Sequence, residues 1–174
     1  MTKYAAFLRG VTPSNLAMTS LKAALERAGF TEVRTLLSSG NVVFSAKTRK
    51  PEGLEATIEA ALAEESGKNF MTFVRPIAAL EAMLEANPYS EFRLIPDAKR
   101  VVTFLRRRVS TAEQANIRLP IEKDGVRILT VRDREVFTDY VRSPRGPVFM
   151  TLIERTFGKE TTTRTWDTVK KAVR

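Results

Sequence analysis

Apolar and polar residues alternate in some stretches of this chain and recur at helical spacing in others. Read in order, they predict a strand, a helix, two strands, a helix and a strand. Residues 3–9, KYAAFLR, put Tyr4, Ala6 and Leu8 on one face and Phe7 on the other, as a strand does. Residues 10–18 hold Pro13, Ser14 and Asn15 and read as a loop. A helix is expected from about Thr19, with that hydroxyl as its N-cap and an apolar stripe of Leu21, Ala24, Leu25 and Ala28. Gly29 suits the left-handed position that ends it. Two strands come next, over 33–38 and 41–46, joined at Ser39-Gly40. After a polar connector, Pro51 opens a second helix whose Leu54, Ile58 and Leu62 repeat every four residues, and Gly67 closes it. A strand over 69–76 and a helix over 77–86 complete this half, and Asn87-Pro88 stops the helix.

The second half repeats the pattern less cleanly. Strands are predicted over 100–106, 126–131 and 135–141, the last two around Arg132-Asp133-Arg134. A short helix over 111–116 is capped by Ser110 or Thr111, a Pro/Gly loop spans 142–147, and helices cover 148–157 and 166–173. Residues 159–164 are polar and threonine-rich, and no fourth strand stands out. The first strands begin at Lys3 and Lys99, and the hairpin turns fall at Gly40 and Asp133, a similar offset. The expected fold class is therefore α+β, with two tandem ferredoxin-like (split βαβ) units, the second diverged. The first covers residues 1–90 with its trailing helix, the second 91–174 with a C-terminal helix.

Composition then removes several chemistries. The 174 residues include no cysteine and no histidine. A disulfide, a thiol nucleophile, zinc-finger ligation and a Ser-His-Asp triad are all impossible. No dense acidic cluster suggests a magnesium site, so no metal and no cofactor is expected. No apolar run is long enough to span a bilayer, and Met1-Thr2-Lys3-Tyr4 leads straight into strand-like sequence, so the expected setting is cytoplasmic. The net charge of +9 is uneven: residues 1–90 carry +1 and residues 91–174 carry +8. Such asymmetry points to nucleic acid or another polyanion as partner, or else to a solvated surface.

Three blocks carry a family resemblance: Leu8-Arg9-Gly10 at the end of the first strand, TLLSSGNVVF over 35–44, and FGKETTTRTWDTV over 157–169. In this order they resemble the bacterial family named domain of unknown function 1697, over nearly the whole chain. The resemblance implies an α+β protein of two ferredoxin-like units and implies no activity. Where the family often has an Asn-Val-Gly-Gly loop, this chain has Val11-Thr12-Pro13-Ser14-Asn15, a stiffer segment.

In a split βαβ unit the third strand lies between the first and second. The end of the first strand then sits beside the turn joining the second and third. This brings Arg9 and Gly10 to Ser38, Ser39, Gly40 and Asn41, the parts of an anion pocket. The same residues read equally as an ion pair and a capped turn. The second repeat presents Arg106, Arg107 and Arg108 at its first strand's end and Arg132 and Arg134 at its turn. These are nucleic-acid candidates, or a charge-blunted edge. Thr163, Arg164 and Trp166 form a C-terminal motif, with hydroxyls that cap a helix or bind an anion and a tryptophan that anchors it. Three functions remain open: a binding module for a phosphate-bearing partner, an enzyme acting on a phosphorylated or acyl substrate through Arg9 and Asn41, or an interaction protein without a small ligand.

Overall fold

The alternation in KYAAFLR becomes β1 (Thr2–Leu8), an inner strand of a four-stranded sheet. The computed structural model describes residues 1–146 and 148–174; Pro147, the end of the expected 142–147 loop, lies outside them. The described residues form an α+β protein with two antiparallel sheets and six α-helices. The chain divides into two units, one of Met1–Glu85 with Val169–Arg174 and one of Ala86–Thr168.

In the first unit β1 is followed by α1 (Met18–Arg27), β2 (Thr31–Leu36), β3 (Asn41–Ala46), α2 (Pro51–Ser66), β4 (Thr72–Pro76) and α3 (Ile77–Ala86). The sheet order is β2-β3-β1-β4. Tyr4, Ala6 and Leu8 meet Val42, Phe44 and Val74 under Leu21, Leu25, Leu54, Ile58 and Leu62, forming one core. Each such large side chain, fully buried, contributes about 1.5–3 kcal/mol. Phe44 stacks between Tyr4 at 5.7 Å and Phe30 at 4.7 Å. The opposite face, with Ala5, Phe7, Val43 and Phe73, is buried as well.

Two local expectations need correction. The helix begins at Met18 with Ala17 as N-cap and no capping side chain, so Thr19 lies inside its first turn. The preceding loop closes on itself instead: Asn15 donates to the Gly10 carbonyl at 2.8 Å and accepts from the Thr12 N–H at 2.8 Å. The turn between β2 and β3 is also longer than Ser39-Gly40. It spans residues 37–40, with Leu37 at φ +59° and Gly40 at φ +82°.

The outer edge of β4 is closed by a device that strand patterning does not reveal. The Arg9 N–H bonds the Met71 carbonyl at 2.8 Å, which fixes the alternation along β4. The N–H groups of Thr72 and Val74 therefore point away from β1. Glu59 accepts the first at 2.9 Å and Glu55 the second at 3.0 Å. Four helical residues rise about 6 Å and two strand residues about 6.7 Å, so carboxylates one helical turn apart match alternate strand amides. Arg75 lies 3.8 Å from Glu55, with both side chains almost wholly buried, and it donates to the Val74 carbonyl at 2.9 Å. Pro76, which has no N–H, ends the strand.

The second unit contains a 3-10 turn over Pro88–Glu91, then β5 (Lys99–Leu105), α4 (Thr111–Asn116), β6 (Ile121–Lys123), β7 (Val126–Arg132), β8 (Glu135–Tyr140), α5 (Val148–Phe157) and β9 (Thr161–Thr165). Helix α6 (Trp166–Ala172) comes last. The order is β6-β7-β8-β5-β9. A fourth strand thus exists where polar sequence gave none: β9 is the threonine run, paired with β5 from Val101↔Thr165 to Leu105↔Thr161. Threonine is β-branched and suits a strand, but its hydroxyl hides the apolar alternation. The three-residue β6 extends the other edge.

One face of this sheet packs Leu105, Val126, Ile128 and Val136 against Leu152 and Ile153 of α5. The other face holds an aromatic cluster, with Tyr89 edge-on to Phe137 and to Trp166 at 5.7 and 5.0 Å. The Tyr89 hydroxyl donates to the Val101 carbonyl at 2.5 Å, and burial pushes its phenol well above the ordinary range. Arg127 grips Asp139 across β7 and β8, at 2.8 and 2.5 Å, and also holds the Arg93 carbonyl at 3.0 Å.

Candidate functional site

The end of β1 meets the β2–β3 turn as expected. Phe7 is opposite Asn41 in the register, and the Leu8 N–H donates to the Gly40 carbonyl at 2.9 Å. Arg9, Gly10, Ser38, Ser39, Gly40 and Asn41 are therefore neighbours at one sheet end. The Asn41 side chain serves the turn, while Ser38 and Ser39 are exposed and Arg9 is half-buried. Asn41 is 0% exposed, and its amide donates to the Leu36 carbonyl and to Ser39 Oγ, each at 3.2 Å. That geometry closes the turn and leaves the Asn41 amide no path to a water or substrate in solvent. Gly40 is required there twice over: φ is positive, and a Cβ would lie 2.9 Å from Val11 Cβ and 3.1 Å from Leu8 Cβ. Val11 and Leu16, from the loop after β1, are buried in the core of the unit.

The second unit builds the same junction from different residues. The Leu105 N–H donates to the Arg134 carbonyl at 2.8 Å, and the Arg106 N–H to the Glu160 carbonyl at 3.3 Å. Arg106, Arg107, Arg108, Arg132 and Arg134 thus share one end of the sheet. The tie between the strand end and the turn is direct, with Arg108 Nε 2.8 Å from Asp133 Oδ1. Carboxylates are interleaved with this rim. Arg107 makes a two-pronged pair with Glu113 at 2.7 and 2.9 Å, and Arg132 pairs with Glu91 at 2.6 Å. Glu113 also completes a capping box, accepting from the Ser110 N–H at 2.8 Å while its own N–H bonds Ser110 Oγ at 3.1 Å. These donors hold the Glu113 carboxyl down at about 2, led by Arg107, and Glu113 in turn raises the Arg107 guanidinium. The side chains of Arg107 and Arg108 remain 70% and 78% exposed.

Beneath this rim a cleft of about 350 Å³ opens between β5, α4 and α5. Leu105, Val109, Ile117 and Phe157 give it apolar walls, while Arg106, Arg107, Glu113, Asn116, Thr156 and Glu160 supply polar groups. The lining from α4 and α5 carries no signal in the sequence, because those residues belong to segments far apart in the chain. The Ser110-x-x-Glu113 spacing of the capping box was readable. What it did not show is that the same carboxylate turns to Arg107.

The C-terminal motif makes contacts within its own unit. Thr163 Oγ1 lies 2.7 Å from Thr103 Oγ1, and Trp166 packs against Tyr89 and Phe137. Arg164 donates to Thr162 Oγ1 at 2.7 Å and to the Thr163 carbonyl at 2.9 Å, and burial lowers its guanidinium to about 10. The strand aromatics Phe7, Phe73, Phe104 and Phe137 are all buried, so none of these four is open to stack on a base. Among the described residues no group of three or more acidic side chains could hold a metal ion, and no helix is long and apolar enough to cross a membrane.

Comparison with known proteins agrees with this geometry at the level of fold. The structure described as "conserved bacterial protein SP0830 from Streptococcus pneumoniae" superposes with a TM-score of 0.74 at 20% identity, covering 99% of this chain and 97% of that one. No curated protein matches the chain. The profile of the family described as protein of unknown function (DUF1697) matches residues 1–137, which leaves the 157–169 block beyond the match. That match spans most of the chain, including the Leu8-Arg9-Gly10 and 35–44 blocks, and the chain belongs to the DUF1697 family.

Proposed function

We propose that the chain consists of two ferredoxin-like units descended from a tandem duplication, and that the diverged second unit binds a phosphate-bearing partner, nucleic acid above all. The duplication is supported by the matching strand orders β2-β3-β1-β4 and β7-β8-β5-β9. Phe-Leu-Arg ends the first strand of each, at 7–9 and 104–106. The junction bonds from Leu8 and Leu105 correspond, and so do Arg75 and Arg164, each donating to the carbonyl before it at 2.9 Å.

The observation that carries the binding role is the convergence of five arginines from the β5 end and the β7–β8 turn, tied by Arg108 and Asp133. The carboxylates beside them do not cancel it. Exposed ion pairs are weak and screened by salt, so a phosphate backbone can take the place of Glu113 or Asp133 beside these arginines. Guanidinium forks also match phosphate in pairs of hydrogen bonds.

The test is fluorescence anisotropy with labelled DNA and RNA across a salt series. Micromolar or tighter binding that collapses between about 50 and 200 mM salt is expected. Replacing Arg107 and Arg108 together by alanine should lower the salt slope by about 2, whereas Arg9→Ala should leave it unchanged. Absence of binding at low salt would overturn the proposal.

A further inference from the structure

We infer that the partner is a single-stranded nucleic acid, and that the cleft beneath the arginine rim seats one unstacked base beside Phe157. The inference rests on the phosphate-binding role proposed for the same rim.

Three features of the cleft argue for a base. At about 350 Å³ it falls at the lower end of the roughly 300–1,000 Å³ usual for small-ligand sites, so it is sized for one flat group and not for a helix or a strand. Its charges balance: Arg107 is matched by Glu113, and Arg106 shares the lining with Glu160. The interior therefore suits an uncharged group that both donates and accepts hydrogen bonds. The cations outside the lining, Arg108, Arg132 and Arg134, lie on the rim where a sugar-phosphate chain would run. Apolar walls below and guanidinium groups above reproduce the two halves of a nucleotide. Nor is Phe7, Phe73, Phe104 or Phe137 open to stack on a base, since all four are buried. In a duplex the bases are paired and stacked, so only an unpaired strand can offer one to the cleft.

The experiment measures anisotropy at about 50 mM salt with 12-nucleotide RNA and DNA strands, their duplexes, and strands of the same length made abasic throughout. The intact strand is expected to bind about tenfold or more tightly than either the duplex or the abasic strand, the scale of one stacked base. Asn116→Trp, at an exposed lining position, fills the cleft while leaving every arginine in the chain. It should erase that preference and leave the salt slope intact. Phe157→Leu, which keeps the apolar wall but removes the ring, should weaken the preference in the same direction. Thermal melts of both variants confirm folding. Equal affinity for intact, abasic and duplex probes would overturn the base site while the phosphate role survives. No binding of any probe would overturn both.

Discussion

At the end of β1 the chain turns inward, and at the end of β5 it turns out. Val11 and Leu16 fill the space beyond the first junction, and α1 buries Leu21, Ala24 and Leu25 behind them. Beyond the second, α4 buries no residue and a cleft remains. The backbone joint is the same, with a leucine N–H on a turn carbonyl in each. The difference lies in the segment beyond each joint. Val11 and Leu16 close the space behind the first tip, which keeps Arg9, Ser38 and Ser39 at its surface, and the second tip keeps five arginines and a cleft. A shared scaffold therefore says little about which tip binds; the loop after the first strand decides it.

The most severe way to break the comparison acts on the first unit's closed edge. Glu55→Ala leaves Arg75 buried without its carboxylate and the Val74 N–H without its acceptor. A loss of about 3–5 kcal/mol is expected from urea unfolding. Next is Gly40→Ala, which adds a Cβ against Val11 and Leu8 at a left-handed position and should cost about 2 kcal/mol. The corresponding residue of the second junction already has a side chain. Arg134→Ala keeps its backbone carbonyl for Leu105 and should cost about 1 kcal/mol or less. Equal losses at the two sites would remove the claim that only one tip is packed. Ser110→Ala, which deletes the α4 cap, should cost about 1 kcal/mol.

The smallest effect is a pH dependence. The folded chain holds the Glu113 carboxyl at about 2, below its ordinary 4.5, so the ionised form favours folding. That advantage is complete above the unfolded value and fades as pH falls towards about 2. Melting temperatures of the wild type and Glu113→Gln should differ near neutral pH and converge in acid. A constant gap from pH 7 to pH 2.5 would contradict the assignment.

Much of the fold was readable because buried faces impose periods. Leu54, Ile58 and Leu62 announced α2, and Tyr4, Ala6 and Leu8 announced β1. Strand β9 escaped because threonines fill it: Thr161 and Thr162 are buried, and the half-buried Thr163 hydroxyl meets Thr103, a partner from another strand that sequence cannot supply. The helix cap at Thr19 failed because the loop before α1 is organised by Asn15, leaving Ala17 at the boundary. At the candidate sites, topology located both clusters but did not orient them. Asn41 pointed to chemistry by type, and burial gave it to the turn. The five arginines do meet at one sheet end, and Arg107, Arg108 and Arg132 pair there with Glu113, Asp133 and Glu91, of which Glu91 lies far off in the chain.

The two carboxylates of α2 have one more effect, visible in exchange with heavy water. Amides on the outside of an edge strand ordinarily trade hydrogen with solvent through small, local openings. Those of Thr72 and Val74 are held by Glu59 and Glu55, so their exchange is expected to be slowed and to depend on the release of both carboxylates. A fluctuation that bares this edge to a passing copy therefore also costs these contacts of α2.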